Sequence, residues 1–130
     1  TVQRLGVSDA VRFLDYIPDG DLPMLYSLAS VVAMPSLYEG FGIPVVEAMA
    51  CGVPVVASSA GSLPEIVGDA GLLTPPQDVD ALADALLRAM SDEPLRAELV
   101  ARGYVRVRAF DWDAAARQHL DVYRAVARRR

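Results

Sequence analysis

Short apolar runs alternate along this chain with stretches whose apolar residues recur at helical spacing. Val11-Arg-Phe-Leu-Asp-Tyr-Ile17 alternates as a strand does, and Pro18-Asp-Gly-Asp21 reads as a turn. Asp21 is placed to cap a helix over 22–29, in which Leu22, Leu25, Tyr26 and Ala29 share one face and Pro23 sits in the first turn. Ser30-Val-Val-Ala-Met-Pro35 and Pro54-Val-Val-Ala-Ser58 are continuous apolar runs, the pattern of strands buried on both faces. Between them lies a predicted helix from about Ile43 to Cys51, with Pro44 in its first turn and Gly52 past its end. Gly61-Ser-Leu-Pro-Glu-Ile-Val67 predicts a short helix, and Gly71-Leu-Leu-Thr74 a last strand that Pro75-Pro76 stops. The remainder is helical: Val79–Met90, capped by Asp78; Pro94 to about Ala109; and Asp111 to about Arg128.

Strands alternating with helices predict an α/β fold, a Rossmann-like parallel sheet with flanking helices and a helical C-terminal end. With no repeat or linker, residues 1–130 are expected to form one unit, with an α/β part over about 1–76 and helices over about 77–130. Four strands are few for a doubly wound sheet, where five or six are usual. The opening Thr1-Val-Gln-Arg-Leu-Gly6 reads as the tail of a helix, so the expectation is a partial domain.

Composition narrows the function classes. At 53 % hydrophobic and 22 % charged residues, the chain can build a core and keep an ordinary soluble surface. No run approaches the roughly 18 apolar residues of a membrane span, and no signal segment opens the chain, so a cytoplasmic protein is expected. A net charge of −5 argues against nucleic acid as a partner. All 12 basic residues are arginine, which excludes a lysine Schiff base or a lysine clamp on phosphate from this chain. Arg128-Arg129-Arg130 reads as a solvated helix end favoured by the helix dipole. The single cysteine, Cys51, excludes an internal disulfide and reads as a small buried residue closing its helix.

The candidate chemistry is concentrated between Glu39 and Glu47, eight positions apart. Ligands of open α/β sheets bind at the carboxyl ends of the strands, and Glu39 follows such an end. Gly40 and Gly42 bracket Phe41, permitting positive φ and close approach of a ligand. The helix starting near Ile43 points unpaired N–H groups and its positive dipole end into the same space, an anion site suited to a diphosphate. Glu47, a turn further on, can accept from hydroxyls beside that anion. Taken singly, each glutamate reads as a solvated carboxylate and the glycines as turn punctuation; the joint pattern describes a sugar-nucleotide site. A dinucleotide fingerprint is excluded because Val45 stands where its third glycine belongs, and a Gly-Lys-Ser/Thr phosphate loop is absent. A glycosidase with the two glutamates as acid and base is a further reading, but it leaves the anion-binding helix start unused. His119 reads as a surface or interface residue rather than a catalytic one, and Trp112 as a packing anchor of the final helix.

These residues carry a resemblance. Pro35-Ser36, Glu39-Gly40-Phe41-Gly42, Pro44, Glu47-Ala48-Met49-Ala50, Gly52-x-Pro54-Val55-Val56-Ala57, Gly61, Pro64-Glu65-Ile66-Val67 and Gly71-Leu72-Leu73 resemble the donor-binding half of retaining glycosyltransferases of the two-domain GT-B architecture, group 1 type. Val11-x-Phe13-Leu14 and Phe110-x-Trp112 resemble its flanks. The resemblance implies transfer of a hexosyl group from a nucleoside-diphosphate sugar to an unknown acceptor, with retention, without a metal and without a separate cofactor. It implies Glu39 as the catalytic-site residue contacting the donor sugar, and Gly40, Phe41, Gly42 and Ile43 as the loop whose N–H groups hold sugar or diphosphate. Glu47 would bind the ribose, and Tyr16 and Ile17 would lie in the base-binding loop, although Asp15 stands where the family usually has glycine. The family's upstream strands, with their diphosphate-clamping arginine and lysine, and its acceptor domain precede the segment matched here. The expectation is therefore a donor-binding part inactive in isolation, with a non-catalytic binding module as the alternative. Its exposed sheet edge and C-terminal helix would pair with the missing domain or with a second copy.

Overall fold

Strand β2 (Val55–Ser58) is buried along its whole length, and the fold is built outward from it. In the computed structural model, which describes residues 1–128, β2 pairs in parallel with β1 (Val32–Met34) on one side and β3 (Leu72–Thr74) on the other. Val32, Ala33 and Met34 face Val55, Val56 and Ala57, while Val56, Ala57 and Ser58 face Leu72, Leu73 and Thr74. The alternation along β2 divides the core between two layers. Val55 and Ala57 meet Val45, Ala48 and Met49 of α2 (Ile43–Ala50) and Leu63, Ile66 and Val67 of α3 (Leu63–Val67). Val56 points the other way, onto Ala85 and Ala89 of α4 (Val79–Ser91). The run Val55-Val56-Ala57 is continuously apolar because each residue in turn finds a covered face.

The helices start where capping chemistry permits. The Asp78 side chain accepts from Ala81 N–H at 2.9 Å, Asp92 from Leu95 N–H at 3.0 Å at the head of α5 (Glu93–Arg106), and Asp111 from Ala114 N–H at 2.7 Å at the head of α6 (Trp112–Ala127). A 3-10 turn at Val107–Ala109 joins the last two. Cys51 ends α2 as its C-cap and is half-buried. Ser58, the buried hydroxyl at the end of β2, donates to the Ser36 carbonyl, so no buried side-chain polar atom is unpartnered among the described residues. No helix is long and apolar enough to cross a membrane among those residues.

Three expectations are corrected. Val11–Ile17 is not a strand, and three strands form among the described residues, not four. Its backbone begins extended at Val11, but a strand exists only as part of a ladder. β1 is paired on one side alone among the described residues, and Val11–Ile17 forms no ladder with it. Phe13 and Tyr16 are accordingly each 82 % exposed. Asp21 does precede α1 (Leu22–Ser27), but it has helical φ and ψ and its side chain makes no capping bond. Trp112 anchors nothing: it is 82 % exposed at the first position of α6, a helix without a buried residue. Of the expected arginine end, Arg128 is the C-cap of α6, while Arg129 and Arg130 lie outside the described residues.

Candidate functional site

All three strands end toward the same rim, and the loop leaving β1 crosses it before turning into α2. At its far end Gly42 caps α2 with φ +100°, a left-handed conformation that glycine alone adopts cheaply. A side chain there would also collide, since a Cβ would sit 2.8 Å from Leu63 Cδ2. The loop is clamped to the entry of α3. Ser62 N–H donates to the Glu39 carbonyl at 3.1 Å, and Ser62 Oγ lies 3.0 Å from that oxygen and 2.8 Å from the Phe41 carbonyl. Gly61 packs flat against the Glu39 backbone, where a Cβ would be 2.6 Å from its carbonyl oxygen and 2.8 Å from its nitrogen.

With its carbonyls turned to Ser62, the loop leaves the N–H groups of Phe41, Gly42 and Ile43 without a backbone acceptor among the described residues. Pro44, inside the first turn of α2, has no N–H to add. Three free donors at the positive end of a helix are chemically competent to hold an anion. The Glu39 carboxylate accepts no hydrogen bond from the described residues and is half-buried beside this loop.

Glu47 is held differently. Tyr26, on α1, donates its hydroxyl to Glu47 Oε2 at 3.0 Å. Partial burial, reinforced by this hydrogen bond and the carboxylate's charge, pushes the Tyr26 phenol up to about 12. The phenol is therefore a permanent donor at physiological pH, and it orients one carboxylate oxygen while the other is free for a second donor. Glu47, Phe41 and Ile43 line one cavity of about 580 Å³, together with Val46, Phe110 and Trp112. Its surface is mostly apolar, with Glu47, Asp111 and Gln118 as the polar exceptions.

The structure brings Phe41, Ile43 and Glu47 to one cavity, and Gly40 and Gly42 belong to the same loop. Glu39 adjoins the loop but is not in the cavity wall. Tyr16, exposed, and Ile17, half-buried, do not line it either. A shallower hollow of about 670 Å³ over Pro75–Asp80 contains none of these residues. His119 is exposed on α6, with Nδ1 2.8 Å from the Ala115 carbonyl oxygen. Two participants escaped sequence reasoning. Tyr26 was legible as an inward-facing helix residue, but nothing in the spacing named Glu47 as its partner. Ser62 fell within the segment predicted as a short helix, and only the folded loop reveals that it grips two carbonyls.

Comparison with known proteins places the chain among relatives of known family. Residues 1–106 match the family model for glycosyl transferases group 1. The chain is 47 % identical over 116 residues to O-antigen chain mannosyltransferase B of Escherichia coli, covering 89 % of this chain and 30 % of that protein. The solved structure of sucrose-phosphate synthase from Thermosynechococcus elongatus superposes with a TM-score of 0.91 at 42 % identity, over 99 % of this chain and 33 % of that one. Anabaena HepE in complex with UDP-glucose gives a TM-score of 0.87 at 31 % identity, over 95 % of this chain and 35 % of that one. The chain thus spans about a third of the length of the proteins it matches.

Proposed function

The chain belongs to the group 1 glycosyl transferases, and from that premise we propose that it is the donor-binding part of a retaining, metal-independent enzyme that moves a hexosyl group from a nucleoside-diphosphate sugar to an acceptor. The observation that carries this reading is the clamped loop Glu39–Gly42, with its free N–H groups at the start of α2 and a carboxylate on either side. The N–H groups of Phe41, Gly42 and Ile43 hold the diphosphate or the sugar. Glu47, oriented by Tyr26, accepts from the ribose hydroxyls. Glu39 contacts the hydroxyls of the sugar near the reacting carbon, and Tyr16 and Ile17 form the base-side segment.

The chemistry asked of these groups is electrostatic. As the bond to the anomeric carbon breaks, negative charge grows on the departing diphosphate, and preorganised N–H donors stabilise it more than they stabilise the bound ground state. The 30 % coverage of the mannosyltransferase supports the further reading that transfer needs protein beyond these residues, and that this part alone binds without turning over. The cytoplasm, where nucleotide sugars are made, is the compartment this reading assigns.

Calorimetric titration with UDP, and with GDP in parallel, tests the assignment. The chain is expected to bind one of them in the millimolar range or tighter. Glu47→Ala should weaken that binding about tenfold or more, the worth of a hydrogen bond to a charged group. Glu39→Ala should leave nucleoside diphosphate binding nearly unchanged, because its partner is on the sugar. Absence of heat from a folded sample at millimolar ligand would replace this reading with that of a non-catalytic module.

A further inference from the structure

Phe41 is gripped twice, once on its backbone and once on its ring, and both grips come from outside its own loop. Its carbonyl accepts from Ser62 at the head of α3, while its ring meets Phe110 edge-on, centroids 5.7 Å apart at an interplanar angle of 85°. Phe110 is in turn held by Arg106, four residues earlier, whose guanidinium carbon lies 5.4 Å from the ring centroid. Arg106 is not free to turn. Its Nε donates to the Ile66 carbonyl at 3.0 Å and its Nη2 to the Glu65 carbonyl, two carbonyls in the last turn of α3. The same short helix therefore holds both ends of one chain of contacts: Ser62 at its head on the loop backbone, Arg106 at its tail on the ring that backs Phe41.

We propose that Arg106 and Phe110 are positioning residues for the donor loop, fixing the Phe41 side chain and with it the directions of the N–H groups of Phe41, Gly42 and Ile43. The proposal rests on the reading of this loop as the anion site. Arg106 is not in the cavity wall; Phe110 is, and its ring acts on the loop donors through Phe41. Arginine suits the task because a planar fork can bond two carbonyls and still present a face to an aromatic ring, which a lysine ammonium cannot do. The 3-10 turn at Val107–Ala109, closed by Phe110 N–H on the Val107 carbonyl at 3.0 Å, carries the ring back under the guanidinium. The loop has no secondary structure of its own to stiffen it, so an external brace decides whether its donors are aligned before the ligand arrives.

The test is the order of the loop amides, measured by ¹⁵N relaxation on the whole chain, with UDP and GDP titrations on the same samples. In Phe110→Leu the order parameters of Phe41, Gly42 and Ile43 should fall from about 0.85 to below about 0.6, while those of Val45 to Met49 in α2 stay rigid. Phe110→Tyr keeps the ring and should restore the wild-type values, which a general packing defect at this position would not predict. Arg106→Gln should loosen the same three amides by a smaller amount. Affinity for whichever of UDP or GDP the wild-type chain binds should drop about tenfold in Phe110→Leu and recover in Phe110→Tyr. A loop that stays rigid in both Phe110→Leu and Arg106→Gln overturns the proposal, whatever the nucleotides do. Should Phe110→Leu unfold the chain, Arg106→Gln decides alone by the same criterion. If the loop loosens as expected but the wild-type chain binds neither UDP nor GDP, the brace stands and the nucleotide reading falls.

Discussion

Of the segments that lack regular secondary structure, two behave as opposites. The loop Glu39–Gly42 is held by Ser62 on its carbonyls, by Gly61 on its backbone and by Phe110 on its side chain. Val11–Ile17, equally without a ladder, offers Phe13, Leu14 and Tyr16 to solvent. Absence of hydrogen-bonded secondary structure thus says nothing of rigidity by itself. What separates the two is the neighbours: α3 and the end of α5 surround the first, while nothing pairs with the second. Local order follows contact density, and a site built to hold a ligand belongs in the first kind of segment.

Substitutions on each side sharpen that contrast. The largest effect is expected from Leu63→Ala, because Leu63 is fully buried where α3 meets both Gly42 and the core. A loss of about 3 kcal/mol is expected, read as a lower urea midpoint at constant m. Gly61→Ala comes next, at about 2 kcal/mol, since its Cβ would meet Glu39 backbone atoms that cannot step aside and its φ of +57° is unfavourable for alanine. Undiminished stability there would mean the loop is less firmly held than its contacts imply.

Tyr26→Phe removes one hydrogen bond and should cost about 1 kcal/mol at neutral pH. Its pH dependence has a defined sign. The phenol is raised from 10.0 to about 12 in the folded chain, so the protonated form is favoured by folding. Its contribution is present below pH 10 and is lost as pH rises through 10 to about 12, where the unfolded state has released the proton and the folded state has not. The wild-type advantage over Tyr26→Phe should therefore shrink across that window, and a difference that stays constant there would argue against the bond to Glu47. The smallest effect is expected from Phe13→Ala, within about 0.5 kcal/mol, because its ring is already exposed. A loss comparable to that of Leu63→Ala would abolish the contrast between the two segments.

The parts that were legible share a physical feature: they are specified by interactions short in sequence. The cap Asp78, the proline in the first turn of α2, and the buried run of β2 could be read because each depends on its near neighbours and on the period of its side chains. The loop's glycines were legible as permissive backbone. That Gly42 is packed under Leu63, and Gly61 on Glu39, was not, because those partners are some twenty positions away in the chain. The strand pattern at Val11–Ile17 misled for the converse reason: alternation states which side chains could face a core, but pairing requires a neighbour that alternation does not supply.

By itself, then, the sequence determined a parallel α/β architecture, its capped helices, and a glycine-bracketed loop opening onto a helix start between two glutamates. Those features follow from backbone permissiveness and side-chain period, which are local properties. Tertiary structure alone decided that the loop is clamped by Ser62 and Gly61, that Tyr26 orients Glu47, and that Arg106 bonds to α3 and backs Phe41 through Phe110. Each of those contacts joins elements distant in the chain or depends on how they pack, and only the folding of the sheet against α2 and α3 brings them within hydrogen-bonding or van der Waals range.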